Sequence, residues 1–172
     1  LIFNKRKNLF ALNLAKKTKH PYLILVEGYM DAIALHQYGF DCAVASLGTA
    51  LTEDGAALLS RYTEQVVLIY DGDEAGQRAT QRAIPILEKA GIGVKVLQIK
   101  DAKDPDEFLK KFGADKFRQV ISESKSKFDY SLDNILARYD INLSQDKIKA
   151  LHESEKLISE TYSSAERDIY IQ

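Results

Sequence analysis

Two groups of acidic residues, each lying directly after an apolar run, are the best placed to do chemistry in this sequence. Glu27 follows residues 23–26, and Asp71 and Asp73 follow residues 66–70. Apolar runs of this length predict strands that are buried on both faces. In open α/β sheets, ligands bind at the edge formed by the carboxyl ends of the strands. We therefore expect the two groups to contribute to one site.

These side chains indicate a metal-ion site. Carboxylates crowded together raise one another's pKa and cost stability unless a cation compensates them. Gly72 lies between Asp71 and Asp73 and allows a close backbone approach, so both carboxylates can turn toward one point, and Glu27 can complete the ligand set. An all-oxygen set with spare positions suits Mg²⁺ or Mn²⁺. The simpler alternative is a solvated turn that caps a helix.

A third acidic loop lies between a predicted strand at residues 94–99 and a predicted helix. It contains Asp104 and Asp106 on either side of Pro105. Proline suits the first turn of a helix, and acids near a helix start interact favourably with its dipole. The loop therefore has two open interpretations, a third part of the site or an ordinary capped helix start.

The elements that must position these acids alternate between strands and helices. This alternation over residues 22–122 predicts an open α/β fold with a largely parallel sheet, in which all three acidic loops share one edge. A helix is expected after Asp31 as far as Gly39, and another after a cap at Thr52. The predicted strands are 22–26, 42–45, 65–70 and 94–99, and a helix at about 75–90 contains Pro85.

The pattern changes after residue 122. Residues 124–127 have the composition of a link, and the remainder contains no strand-like run. Its apolar spacing predicts three short helices, the last ending near Ile169. We expect a small all-helical segment that serves as a docking surface and takes no part in the acidic site.

Composition narrows the class of protein. A chain of 172 residues with 28% charged residues is expected to be globular, and no stretch has the pattern of a signal peptide or membrane span, so we expect a cytoplasmic protein without membrane contact. It begins at Leu1, so we expect it to be part of a longer chain. Cys42 is the only cysteine, which excludes an internal disulfide and argues against a zinc site. The three histidines are far apart in sequence, so a histidine metal site is not expected.

Residues 1–20 form a basic lead-in, with six basic residues and no acid, whereas the chain as a whole has a net charge of −1. Such an uneven distribution is expected where a chain meets a polyanion. It is also expected of lysines on the solvated face of a helix.

Four motifs carry a resemblance to a known family. They are Glu27-Gly-Tyr-Met-Asp31, Ala45-Ser-Leu-Gly-Thr49, Tyr70-Asp-Gly-Asp-x-Ala-Gly76 and Asp104-Pro-Asp106. Together they resemble the Toprim domain of bacterial DNA primases over roughly residues 3–122. The resemblance implies template-directed synthesis of RNA primers by nucleotidyl transfer, with ribonucleoside triphosphates and single-stranded DNA as partners.

The same resemblance implies roles for individual residues. Glu27, Asp71 and Asp73 would hold catalytic Mg²⁺, for which Mn²⁺ can substitute. Further acids would support this cluster, and basic residues of the lead-in would lie near nucleotide or nucleic acid. The supporting acids are Asp31, Asp104 and Asp106, and the basic residues are Lys5, Lys7 and Lys17.

The resemblance also divides the chain and indicates what lies outside it. Residues 1–20 would end a preceding subdomain, residues 21–122 would form the Toprim domain, and residues 123–172 would form the helical segment. The family's zinc-binding domain and most of the first half of its polymerase core would be absent, so no zinc is expected. Replicative helicase would bind through a C-terminal domain outside this chain.

Two rival functions remain open at this point. A Toprim nuclease or topoisomerase would use the same acids on a phosphodiester, although a topoisomerase needs a tyrosine nucleophile that nothing in this sequence marks. A non-catalytic nucleic-acid-binding module would use the basic lead-in, and its acids would only cap helices. Metal binding with and without Asp71 discriminates the module from the enzymes.

Overall fold

The computed structural model describes residues 5–48, 50–160 and 170, with Arg6 described by its backbone alone. The chain divides into two compact units after Ser124. The first unit contains a 3₁₀ turn and nine helices and strands among its described residues. These are the turn Lys5–Lys7, α1 Leu12–Ala15, β1 Leu23–Val26, α2 Tyr29–Gln37, β2 Ala43–Ala45, α3 Glu53–Leu59, β3 Gln65–Ile69, α4 Glu74–Lys89, β4 Gly93–Val96 and α5 Pro105–Ser122.

The first unit is built on four parallel strands in the order β2-β1-β3-β4. Every residue of β1 and β2 is buried, as are the last four residues of β3, because these strands are apolar on both faces. Helices connect the strands, as right-handed crossovers in a parallel sheet require. The predicted α/β fold is confirmed.

The order of the strands creates a switch point. From β1 the chain moves to β2 on one side, and then crosses to β3 on the other side of β1. In open α/β sheets, the crevice outside the strand ends at such a reversal is where ligands bind. The carboxyl ends of β1 and β3 flank this crevice.

Local sequence signals account for several helix ends. The Thr52 side chain accepts a hydrogen bond from the Gly55 amide at 3.1 Å, which is the predicted cap of α3. Gly39 adopts a positive φ of 88° just after α2, as a glycine at a helix C-terminus is expected to do. Helix α4 is continuous through Pro85. The interruption of α5 at Gly113, where φ is 78°, was not predicted.

The basic lead-in contacts the sheet in a way that the sequence pattern did not indicate. Phe10 and Ala45 form an antiparallel bridge, in which the Phe10 amide donates to the Ala45 carbonyl at 2.8 Å and the Ala45 amide donates back at 3.2 Å. This contact covers part of the outer edge of β2. Covering an edge strand removes a site of unwanted strand pairing.

The second unit begins with the short strand β5 Lys125–Ser126 and continues with α6 Lys127–Leu136 and α7 Ser144–Ser159. Ser126 caps α6 by accepting a hydrogen bond from the Asp129 amide at 3.1 Å. The Phe128 ring stacks on the Tyr170 ring with centroids 3.6 Å apart. The predicted third helix, ending near Ile169, lies outside the described residues. No helix within the described part of the chain is both long and apolar enough to cross a membrane.

Candidate metal site at the carboxyl edge of the sheet

Glu27 and Tyr70 directly follow the neighbouring strands β1 and β3, and they lie side by side at the carboxyl edge of the sheet. The register pairs Val26 of β1 with Ile69 of β3, so the next residue on each strand emerges beside the other at the switch point. Asp71 follows Tyr70 immediately, and its amide donates a hydrogen bond to the Glu27 carboxylate. The fold therefore joins the first two predicted acidic groups at one edge.

The electrostatics of Glu27 reflect this crowding. Burial raises the pKa of Glu27, and the carboxylates of Asp71 and Asp73 raise it further. The pKa of Asp71 is raised as well, first by burial and then by Asp104 and Asp73, whereas the nearby ammonium group of Lys103 lowers it. Negative charge accumulates here because acids from separate loops approach one another.

Asp31 joins the cluster from the first turn of α2. Its Oδ2 lies only 2.8 Å from the place that a Cβ on Gly28 would occupy, so the absence of a side chain at Gly28 lets the carboxylate fold back. The amides of Gly28 and Asp106 donate hydrogen bonds to it. Burial, followed by Asp104 and Asp71, nevertheless raises the pKa of Asp31 to about 6.

Two of the acids also cap helices. Asp73 accepts a hydrogen bond from the Gly76 amide at 2.7 Å at the start of α4, and Asp104 accepts one from the Glu107 amide at 2.8 Å at the start of α5. A Cβ on Gly76 would lie 2.1 Å from the Asp71 carbonyl oxygen, so only glycine permits this tight turn. Capping uses one carboxylate oxygen of each aspartate. The capping interpretation and the metal-site interpretation are therefore compatible.

Five of the six predicted acids are connected through the raised pKa values of Glu27, Asp31 and Asp71. The five are Glu27, Asp31, Asp71, Asp73 and Asp104. The carboxylate of the sixth, Asp106, pairs with Lys110 at 2.5 Å, and its backbone amide donates a hydrogen bond to Asp31.

The three predicted lysines lie in different environments. Lys7 forms an ion pair with Asp54 at 3.8 Å, and Lys5 lines a small cavity with Ser46 and Thr52. Lys17 lies exposed just after α1. A nucleotide-binding role for these three residues stays a prediction.

The donor set fits a divalent cation of the oxygen-binding class. It consists of carboxylates, it is partly exposed, and burial followed by mutual repulsion raises the pKa of three of its members. A cation would relieve that repulsion. Magnesium commonly binds through one or two carboxylates and keeps several waters, so a shallow site of this kind is sufficient.

A family model described as "Toprim-like" matches residues 24–109, which include most of β1, all of β3, the switch point and the three acidic loops. The chain belongs to the Toprim-like family. Toprim domains bind divalent metal ions, in agreement with the donor set described above.

The Toprim-like chain is also similar to proteins named DNA primase, as its motifs suggested. It is 44% identical over 172 residues to the DNA primase of Clostridium acetobutylicum. This alignment covers 99% of the present chain and 29% of the relative. The chain therefore spans less than a third of that relative's length.

Two solved structures extend this similarity to three dimensions. One is the Aquifex aeolicus primase, zinc-binding and RNA polymerase domains, with a TM-score of 0.79, 36% identity and coverage of 98% of this chain and 40% of that one. The other is the DnaG primase catalytic domain bound to single-stranded DNA, with a TM-score of 0.82, 31% identity and coverage of 99% and 57%. The predicted resemblance to a primase catalytic core is confirmed.

A second family model corrects one prediction. Residues 128–172 match the model described as "DnaB-helicase binding domain of primase". We expected the helicase-binding part of the family to lie outside this chain, and that expectation was wrong. The signal for it was the set of apolar helical stripes after residue 127, which indicated docking but no particular partner.

A further cluster of possible metal ligands, at the amino ends of the strands, was also not predicted from the sequence. Side-chain atoms of His20, Asp41 and Cys42 lie within 4.8 Å of one another, just before the strands β1 and β2 begin. Asp41 already accepts a hydrogen bond from the Thr18 hydroxyl at 2.5 Å, and burial raises the pKa of the Cys42 thiol to about 12. The spacing of the three histidines gave no sign of this group, because two of its members, Asp41 and Cys42, are not histidines.

Two cavities differ in their position relative to the acids. One of about 700 Å³, mostly apolar, lies between the lead-in and α2 and is lined by Leu9, Leu12, Ile33 and Leu58 among others. It has no clustered acids among its lining residues. A second, of about 370 Å³, includes Glu27 in its wall.

Proposed function

We propose that the acidic edge is the nucleotidyl-transfer site of a DNA primase catalytic core, which synthesises RNA primers on single-stranded DNA from ribonucleoside triphosphates. One observation carries this proposal. Acids from three separate loops converge at the switch point of the sheet, at the cost of raised pKa values for Glu27, Asp31 and Asp71. Such an arrangement is more typical of a functional site than of a stabilising one.

In this proposal Glu27, Asp71 and Asp73 hold the metal ion, which is Mg²⁺ with Mn²⁺ as a substitute. When bound, the ion supplies charge neutralisation for the triphosphate and activation of the attacking 3′-hydroxyl. The chain's own contribution is positioning: the Asp71 amide orients the Glu27 carboxylate, and the cap at α4 fixes one oxygen of Asp73. The all-oxygen donor set gives no reason to assign zinc to this site.

Further residues are assigned to supporting roles. Asp31 and Asp104 add negative charge beside the metal ligands, and Asp106 orients Asp31 through its amide. Lys5, Lys7 and Lys17 provide positive charge for nucleotide and template. We retain three working domains, residues 1–20, 21–122 and 123–172. We also propose that the protein acts in the cytoplasm.

The partners follow from the relatives. A similar catalytic domain is described as bound to single-stranded DNA, which supports DNA as the template. The match of residues 128–172 supports contact with a replicative helicase. In the second unit, Leu143 and Leu151 expose more than half of their surface, 57% and 54%, and both are candidates for that contact.

The helicase contact can be tested with two matched substitutions. Leu143→Asp should weaken binding of the chain to a bacterial replicative helicase, measured by surface plasmon resonance, because it places a charge in an apolar interface. Leu14→Asp, at a leucine that is 52% exposed in the first unit, is the control. Equal binding by both variants and the unsubstituted chain would remove Leu143 from the interface.

This chain alone should prime poorly. It covers 57% of the catalytic domain that is bound to single-stranded DNA, so a large part of that domain has no counterpart in the matched chain. A misplacement of about 1 Å can reduce a rate roughly a hundredfold. Template binding by the basic lead-in should be weak and steeply dependent on salt.

The test of function is ribonucleotide incorporation on single-stranded DNA by the full-length protein with Mg²⁺ or Mn²⁺. Asp73→Asn should reduce incorporation at least about a hundredfold, because it removes a charged ligand, and asparagine can keep the cap of α4. Asp133→Asn, at an ion-paired acid of the second unit, is the matched control.

Two results would overturn the proposal. Incorporation that Asp73→Asn leaves unchanged would show that the acidic edge is not the catalytic site. Metal-dependent cleavage of DNA or RNA without incorporation would favour a Toprim nuclease, in which the same acids act on a phosphodiester.

A further inference from the structure

A histidine, an aspartate and a cysteine lie together at the amino ends of β1 and β2, away from the acidic edge. His20 precedes β1, and Asp41 and Cys42 directly precede β2. One side-chain donor atom from each of the three lies within 4.8 Å of the other two, and His20 Nε2 is 3.9 Å from Asp41 Oδ1. Three different kinds of metal ligand therefore face one point.

The sheet positions the cysteine. Strands β1 and β2 are parallel, with Ile24 opposite Ala43, and the Ile24 amide donates a hydrogen bond to the Cys42 carbonyl at 2.9 Å. This backbone contact holds Cys42 beside the chain that leads from His20 into β1. The cysteine is thus the fixed member of the group.

Thr18 connects the other two members. Its hydroxyl donates a hydrogen bond to Asp41 Oδ1 at 2.5 Å and accepts one from the His20 backbone amide at 3.2 Å. Carboxylates that bind metal ions are typically oriented by an outer hydrogen bond of this kind. The second oxygen of Asp41 stays available to an ion.

The spacing of the three donor atoms suits one ion after a small contraction. Because no two of them are more than 4.8 Å apart, a central point lies within about 2.8 Å of all three, whereas zinc binds sulfur at about 2.3 Å and nitrogen or oxygen at about 2.0–2.2 Å. Each ligand therefore moves by less than about 1 Å. The side chains of His20 and Asp41 are free to do so, because they are 42% and 63% exposed. Cys42 is buried, so the ion enters from the side of the two exposed ligands.

The donor types select a different class of ion from the acidic edge. One sulfur, one imidazole nitrogen and one carboxylate oxygen suit Zn²⁺ or Co²⁺, whereas Mg²⁺ prefers oxygen alone. A thiolate and a carboxylate together balance the two positive charges of such an ion. The Cys42 thiol releases its proton to solvent when the ion binds.

We propose that His20, Asp41 and Cys42 bind one Zn²⁺ ion, with a water molecule in the fourth position of a tetrahedral site. The ion cross-links the segment before β1 to the turn before β2 and so stabilises the amino end of the sheet. A single cysteine is sufficient, because the histidine and the aspartate supply the other protein ligands. The site is independent of the acidic edge and of the reaction proposed there.

The experiment titrates the 172-residue chain with Co²⁺ in the presence of excess Mg²⁺ and records the absorption spectrum. A thiolate bound to Co²⁺ produces a charge-transfer band in the near ultraviolet. Cys42 is the only cysteine of the chain, so this band reports on Cys42 alone. Stoichiometric Zn²⁺ should remove the band, because thiolate-containing sites favour Zn²⁺.

Variants at the other two ligands test the site most sharply. His20→Ala and Asp41→Asn should each weaken Co²⁺ binding at least about tenfold, and both should fold, because the side chains are exposed. Thr18→Val should also weaken binding about tenfold, because it removes the hydrogen bond that orients Asp41.

Two variants serve as controls. His152→Ala replaces an exposed histidine of the second unit, and Asp71→Ala removes a ligand of the acidic edge. Both should keep the band and the Co²⁺ affinity of the unsubstituted chain. Circular dichroism checks that each variant is folded.

Three results would overturn the inference. The first is the absence of the band in the unsubstituted chain. The second is a band that both His20→Ala and Asp41→Asn leave unchanged, because Co²⁺ would then bind Cys42 without them. The third is a band that disappears in folded Asp71→Ala, because the two ends of the sheet would then not be independent.

Discussion

Carboxylates occur in both units of this protein, but their neighbours differ. In the second unit each of several acids faces a base: Asp133 pairs with Lys125, Glu153 with Arg138, and Asp146 with Lys149. At the carboxyl edge of the sheet in the first unit, acids face mainly other acids. The same residue type is therefore used in two opposite ways.

The pKa values show the consequence. The Tyr139 hydroxyl donates to Glu153 at 2.6 Å, and this hydrogen bond, followed by Arg138, lowers the pKa of Glu153. The pKa values of Glu27, Asp31 and Asp71 are raised. The ionised form of Glu153 thus favours the folded state, whereas the ionised forms of Glu27, Asp31 and Asp71 oppose folding until a cation binds. The difference separates acids that stabilise from acids that serve a site.

The largest expected effect comes from the turn that carries Asp71 and Asp73. Gly76→Ala places a Cβ 2.1 Å from the Asp71 carbonyl oxygen. Because the clash is with a backbone atom, no change of side-chain rotamer can relieve it. We expect a loss of about 3 kcal/mol in the free energy of unfolding, measured with urea, because the turn must open. Mn²⁺ affinity should fall as well, because the two aspartates separate.

Gly72→Ala is the matched control for that turn. A Cβ on Gly72 would meet the Ile99 carbonyl oxygen at 3.6 Å, an ordinary contact. We expect it to change stability by less than about 1 kcal/mol. If the two alanine variants lose equal stability, the crowding at Gly76 does not determine the geometry of the acidic edge.

The second-largest expected effect is an increase in the free energy of unfolding when Asp31, at the sheet edge, is replaced by asparagine. The pKa of Asp31 in the folded chain is raised from 3.8 to about 6, so the folded state binds its proton more tightly than the unfolded state. Stability therefore falls as pH rises from about 4 to about 6. Without metal, Asp31→Asn should be more stable than the unsubstituted chain by about 1 kcal/mol at pH 7, after allowance for solvent screening.

The measurement is urea unfolding in chelator at pH 4 and at pH 7. The advantage of Asp31→Asn should be small at pH 4, where Asp31 is largely protonated in the folded state and partly protonated in the unfolded state. Asp115→Asn, at an exposed acid paired with Arg118, is the control and should show no such gain. An advantage of the same size at both pH values would mean that the ionisation of Asp31 in its buried, acidic surroundings is not its cause.

The smallest expected effect has the opposite sign and lies in the second unit. Glu153→Gln removes the acceptor charge shared by Tyr139 and Arg138, so the thermal midpoint should fall slightly at pH 7. The fall should shrink below pH 4, because the lowered pKa of Glu153 keeps its contribution present above the unfolded pKa and loses it in acid. A gain of stability at neutral pH would end the contrast between the two sets of acids.

The parts of the fold that could be predicted from the sequence are those marked by apolar runs or by local capping signals. Apolar runs located β1 and β3, and the acids that follow them lie together because parallel strands end at one edge. Capping by Thr52 and the proline start of α5 also followed from local chemistry. These signals are local, so they are present in the residues themselves.

What the sequence did not predict depends on contacts between distant residues. The bridge from Phe10 to Ala45 involves one residue on each side and leaves no periodic pattern. The cavity beside Glu27 brings together residues that are far apart in the chain, among them Ser46, Tyr70 and Ala79. The break at Gly113 interrupts an otherwise regular helical pattern. The helicase-binding match was missed because apolar stripes do not specify a partner.

The most direct test of the account is calorimetric titration of the chain with Mn²⁺, before and after Asp71→Ala. The unsubstituted chain should bind the ion with modest affinity, because a few carboxylates leave several positions to water. Asp71→Ala should abolish the binding while its metal-free stability stays the same or rises, because one of the crowded charges is gone. Unchanged Mn²⁺ binding in a folded Asp71→Ala chain would contradict the claim that these acids form a cation site.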